Sequence, residues 1–122
     1  TLVCGNSFAQ ISFSPDYFIL KPMHSIFYCT PLELLLNELE VKTLILCGLA
    51  GNICFLFSAN DAHMRNYELI VPSDCIASNS RKDNDFAQNQ MKHILGAKIG
   101  TAIELGSLLK QAEENNRDRD LD

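Results

Sequence analysis

No CxxC pair occurs in this chain, and its five cysteines (Cys4, Cys29, Cys47, Cys54 and Cys75) are an odd number without a short paired spacing. That argues against a zinc site or a disulfide framework and suits free thiols in a reducing compartment. Positive charge is also short. Ten Lys and Arg face 15 Asp and Glu, for a formal net charge of −5. Nucleic acid and anionic membrane surfaces are therefore poor partners. No apolar run approaches the roughly 18–20 residues of a membrane span. The first residues show no signal-peptide pattern, so a cytoplasmic protein is expected. The chain starts at Thr1 rather than methionine, which raises the expectation that it is a piece of a longer protein.

What is present is enough for one domain: 122 residues, 47% of them hydrophobic and 20% charged. Its organising stretch is Leu44-Ile45-Leu46-Cys47-Gly48-Leu49-Ala50-Gly51-Asn52-Ile53-Cys54. A continuous apolar run suits a strand covered on both faces. Small, turn-forming residues follow, then a helix from about Asn52 to Arg65 whose first turn holds Cys54 and which is expected to carry Ile53, Leu56, Phe57 and Met64 towards the core. A thiol among the unpaired N–H groups of a helix start is favoured as thiolate, the nucleophilic form. The bland alternative is a buried, inert cysteine.

Around this unit the pattern alternates. Residues 1–15 are ambiguous, with Thr1 to Cys4 readable as a strand end and Gly5 to Ser7 as a turn. Tyr17-Phe18-Ile19-Leu20 reads as a short strand halted at Pro22, which places Lys21 at its C-terminal end. Thr30-Pro31-Leu32-Glu33 has the spacing of a capping box with proline at N1, and Leu32, Leu35, Leu36 and Leu39 follow as an apolar stripe. Leu69-Ile70-Val71 reads as a strand stopped by Pro72. Ser78 to Asn84 reads as a polar loop. Phe86 to Leu95 reads as an amphipathic helix closed by Gly96. Ala97 to Gly100 reads as a weak strand, and Thr101 to Glu104 as a second capping box. Residues 113–122 lack the apolar content to fold and are expected to be a disordered acidic tail behind a domain of residues 1–112. Strands alternating with helices imply an α/β fold, a three-layer sandwich whose open parallel sheet carries helices on both faces. Ligands bind beyond the carboxyl ends of such strands, where Lys21, the Gly48–Cys54 turn and Ser73-Asp74-Cys75 fall. Asp74 is read as a turn cap.

Three separated blocks then carry a resemblance. Asp16 to Phe27, the Gly48–Cys54 turn with Ser58-Ala59-Asn60-Asp61-Ala62, and Val71 to Ala77 together resemble the isochorismatase-like cysteine hydrolases, over residues 15–109. The resemblance implies hydrolysis of a small amide or related C–N bond without a cofactor. It implies Cys54 as the nucleophile that forms a thioester and Lys21 as the family's lysine between thiol and carboxylate. It also implies a cis bond between Leu49 and Ala50, and an oxyanion hole built by the N–H groups of Ala50 and Cys54. Leu49, His24 and Phe27 are candidate substrate-binding residues, with core packing the competing reading for Phe27. No metal ligands are expected in this chain, because the spacing of Asp61 and His63 suits none. The partner expected is a small-molecule substrate, with a homo-oligomer as the assembly. The family's aspartate base ends a first strand that has no counterpart here, and Asp16 begins a strand rather than ending one. The domain is thus expected to be N-terminally truncated, and a non-catalytic remnant of the fold is the alternative function. A redox sensor pairing Cys54 with Cys47 or Cys75 is a third reading.

Overall fold

The computed structural model describes residues 2–5 and 17–119. Strand β1 (Leu2–Gly5) comes first. Helix α1 (Leu32–Glu38) precedes the central strand β2 (Thr43–Leu49). A π-helical turn, Gly51–Phe55, leads into α2 (Leu56–Met64). Strand β3 (Glu68–Pro72) is followed by a 3₁₀ turn, Ser73–Cys75, and by the short β4 (Ile76–Ala77). Helix α3 (Arg81–His93), strand β5 (Lys98–Gly100) and helix α4 (Ala102–Arg119) complete the order.

Among the described residues all strand pairs are parallel, in the order β1-β2-β3-β5, with β4 also on β2. Because strands are added in one direction, right-handed crossovers bring α1, α2 and α3 to a single face. One cluster indeed joins Leu32 and Leu36 of α1, Ala59 and Ala62 of α2, and Ala87 and Met91 of α3. They close on Leu44 and Leu46 of β2 and on Leu69 and Val71 of β3. Ile70 points the other way by strand alternation and is buried as well. Helix α4, with buried Leu105, packs on β3 and β5 and lies outside the first cluster. The α/β sandwich expected from the alternating pattern is present, with the helices of the described residues divided three to one between the faces.

Beside the site, β2 changes partners. Thr43 to Ile45 pair with Glu68 to Ile70, whereas Gly48 and Leu49 pair with Ile76 and Ala77. The register shifts by three residues, the length of the Ser73–Cys75 turn. Pro72, which has no N–H to donate, marks where β3 leaves β2. Asp74 in that turn accepts the Ala102 N–H at 2.8 Å, so its carboxylate caps α4, as the turn-capping reading expects. The Thr101–Glu104 box forms in both directions: Thr101 N–H to the Glu104 carboxylate at 2.8 Å, and Glu104 N–H to the Thr101 hydroxyl at 3.3 Å.

Several expectations are corrected. Residues 17–21 form no strand, so Lys21 stands on a loop rather than at a strand end. Tyr17, Phe18 and Leu20 are exposed there; β propensity has nothing to act on without a ladder partner and a covered face. Thr30 makes no capping box. Its hydroxyl donates to the Ile26 carbonyl, while Glu33 reaches across to Arg65 at 3.0 Å. Leu39 is exposed just past the end of α1, and Phe57 and Met64 are exposed because α2 lies close to the sheet on Ala59 and Ala62 instead. Helix α3 begins at Arg81, inside the expected polar loop, because Ser80 accepts the Asp83 N–H at 3.1 Å as N-cap. Gly96 does occupy the left-handed region at φ 66°, as a helix terminator should. Helix α4 continues to Arg119, into the segment expected to be a tail. Gln111, Glu113 and Glu114 are good helix formers. Asp16 and the Asn6-Ser7 turn lie outside the described residues.

Candidate active site

The central strand delivers the site. Leu44 and Leu46 are buried under the helices, and the strand ends at Leu49, just past Gly48, whose φ of 128° no side chain tolerates easily. The Leu49–Ala50 peptide bond is cis. The Ala50 carbonyl then accepts from the N–H groups of Ile53 and Phe55, at 3.0 and 3.1 Å, which winds the turn around Cys54. Gly51 is buried where a side chain has no room: an added Cβ would lie 2.7 Å from the Ser78 hydroxyl and 2.8 Å from the Asn84 amide oxygen. Cys54 therefore sits in a π turn ahead of α2, not in an α-helical first turn as the sequence pattern suggests.

A narrow, mostly apolar cleft opens at this end of β2. It is lined by Lys21, Ile26, Leu46, Cys47, Leu49, Cys54, Phe55 and Ser58. Lys21, Leu49 and Cys54 are thus brought to one place although Lys21 comes from a loop. The Lys21 ammonium donates to the Met23 carbonyl at 3.1 Å. His24 is exposed at the rim, with Nδ1 3.5 Å from the Cys54 sulfur. Phe27 is not in the cleft lining. It is buried in the core, its ring stacked on Tyr67 and under the Arg65 guanidinium at 4.8 Å, so the core reading holds for it. Arg65 also pairs with Glu33 and Asp61, which ties α1 to the end of α2. The Glu33 hydrogen bond raises its proton affinity further, against an opposing desolvation. Among the described residues no carboxylate lines the cleft, and no group of His, Cys, Asp or Glu side chains is placed to hold a metal ion.

Sequence reasoning missed Ser58. It is buried, accepts the Ile26 N–H at 3.0 Å and donates to the Cys54 carbonyl at 2.6 Å. One hydroxyl thereby fastens the Lys21–Phe27 loop to the turn that carries the thiol. Its position four residues after Cys54, on the same helical face, was the available signal. Removing the hydroxyl in Ser58→Ala leaves the half-buried Ile26 N–H without its partner. A loss of about 1–3 kcal/mol is expected, read from urea unfolding, with no loss for the exposed Ser107→Ala.

The match to the isochorismatase domain covers residues 7–103 of this chain. The chain belongs to the isochorismatase family. It is 57% identical over 86 residues to the uncharacterized isochorismatase family protein YaaI of Bacillus subtilis, covering 70% of this chain and 48% of that protein. Nicotinamidase PncA from Bacillus subtilis superposes with a TM-score of 0.66 at 30% identity, covering 67% of this chain and 45% of that one. N-carbamoylsarcosine amidase from Thermoplasma acidophilum superposes with a TM-score of 0.65 at 31% identity, covering 70% and 48%. The isochorismatase-family match thus reaches over most of this chain but spans about half the length of these relatives.

Proposed function

We propose that the chain carries the nucleophile and lysine of a hydrolase that cleaves a small amide or related C–N bond through a thioester on Cys54. The observation that carries this reading is the shared cleft: Lys21 and Cys54, 33 residues apart in sequence, line one opening at the carboxyl end of the central strand. A nucleophile with an ammonium beside it is the arrangement that stabilises a thiolate and the charge passing through it. In this reading the Ala50 and Cys54 N–H groups receive the developing oxyanion, and Leu49 and His24 border the substrate. Two relatives are named for amide substrates, nicotinamide and N-carbamoylsarcosine, which supports a carboxamide or ureido carbon as the target.

The cleft has only about 20 Å³ of space, room for about one water. A substrate therefore needs walls from outside the described residues, and a second copy of the chain in a homo-oligomer is our proposal for part of them. The same reducing, cytoplasmic setting is proposed because Cys29 and Cys54 are free thiols. No helix among the described residues is long and apolar enough to cross a membrane.

A second reading has its own support. With no carboxylate lining the cleft among the described residues, the chain would be a non-catalytic remnant of the fold. Incubation with nicotinamide and with N-carbamoyl amino acids separates the two. The hydrolase releases ammonia above a buffer blank from at least one of them; silence across both classes, with the fold intact by circular dichroism, favours the remnant.

A further inference from the structure

We propose that His24 accepts the proton of the Cys54 thiol, so that the two work as a Cys–His pair at the mouth of the cleft. This deepens the hydrolase reading and, as a catalytic role, rests on it. Nδ1 of His24 lies 3.5 Å from the Cys54 sulfur. The ring, though exposed, is positioned there: it stacks on Phe57, with centroids 5.5 Å apart and planes 28° from parallel. Phe57 follows Cys54 by three residues, so the segment that presents the thiol also holds the imidazole beside it. That explains a phenylalanine left 53% exposed at the start of α2, where its burial contributes little to the core. From the other side, Ser58 anchors the His24 loop through the Ile26 N–H, and Lys21 ties it through the Met23 carbonyl.

Chemistry selects His24 from the groups present. Among the described residues, the titratable groups around the sulfur are Lys21 and Cys47, which line the cleft with it, and His24 at its rim. A charged ammonium has three donors and no acceptor, so Lys21 stabilises a thiolate without being able to take the S–H proton. A neutral imidazole has a free lone pair and changes charge near neutral pH. The sequence of steps closes on itself. Nδ1 takes the thiol proton, leaving thiolate and imidazolium. The thiolate attacks the carbonyl carbon, a C–S bond forms, and the C=O π pair moves to oxygen. On collapse that pair returns, the C–N bond breaks, and the departing nitrogen takes the proton from His24. Water then attacks the thioester and gives a proton to the imidazole; the C–S bond breaks, the sulfur is reprotonated and the acid leaves.

The test needs no substrate. The full 122-residue chain and its His24→Gln variant are alkylated with iodoacetamide between about pH 5 and 9, and each cysteine is followed by peptide mass. The pair predicts that Cys54 is alkylated roughly tenfold more slowly in the variant on the acid side of neutrality, where the wild-type thiol has its acceptor. Exposed Cys29 and Cys75 serve as references whose profiles stay in place. A second measurement leaves His24 intact: the NMR titration of its ring in the wild type and in Cys54→Ser. The pair predicts a displaced ring titration when the sulfur is removed. Superimposable Cys54 profiles, or a His24 titration indifferent to Cys54→Ser, overturn the proposal and leave the hydrolase reading standing. A displaced profile without ammonia release from any amide upholds the pair and sinks the hydrolase reading instead.

Discussion

Replacing Cys54 with alanine is expected to lower amide hydrolysis by at least about 10³-fold while leaving the fold intact. The size follows from the role. A nucleophile that forms the covalent intermediate has no substitute in the cleft, and what remains after its loss is whatever the oxyanion donors and binding supply. The fold survives because Cys54 is only partly buried and belongs to no core cluster. Truncating it to alanine removes one sulfur next to Lys21 and His24, not a packing element. The measurement is ammonia release with Cys54→Ala beside the wild type, and circular dichroism confirms equal folding. Lys21→Met belongs in the same series. It keeps the length of the side chain and removes the charge, so the rate should fall while the ability of the thiol to be alkylated persists at high pH.

The second large effect is on stability. Leu44 is fully buried in the central strand, between β1 and β3 and beneath the three helices of one face. Leu44→Ala loses the transfer energy of the missing carbons and leaves a cavity that rigid neighbours fill only in part, for about 2–5 kcal/mol. Against a total of roughly 5–15 kcal/mol for a domain, that is a large fraction. Ile103, 82% exposed on α4, provides the contrast: its alanine variant should stay within about 0.5 kcal/mol of the wild type. Urea unfolding of both variants checks the pair of values. Equal losses at the two positions would mean that β2 does not sit in the core as described.

What the amino-acid sequence made legible is largely local. The run from Leu44 to Leu46 announces a covered strand because nothing polar interrupts it. The glycines at 48 and 51 announce a tight passage to Cys54. Thr101 to Glu104 reads as a capping box and forms one. Other signals were overruled by partners far along the chain. Thr30 and Glu33 have the same spacing as Thr101 and Glu104, yet Glu33 is drawn to Arg65, 32 residues away. Tyr17 to Leu20 have the residues of a strand but find no neighbour to pair with. Phe57 and Met64 have the spacing of a buried stripe, but the close approach of α2 on two alanines turns them outward. The candidate site divides the same way. Cys54 was visible from its turn, Lys21 was placed near it by a strand-end reading that the fold corrects, and the cis bond came from resemblance. Ser58 and the contact between His24 and Cys54 are long-range and show only in the folded chain. The carboxylate of the family pattern has no counterpart among the described residues, and Asp16 lies outside them.

The most direct test of the account is acid-quench mass spectrometry of the chain mixed with an amide that it hydrolyses. The account predicts a transient acyl adduct that maps to the Cys54 peptide and is absent from Cys54→Ala. Turnover of that amide with no adduct on Cys54, and at an undiminished rate in Cys54→Ala, would contradict it.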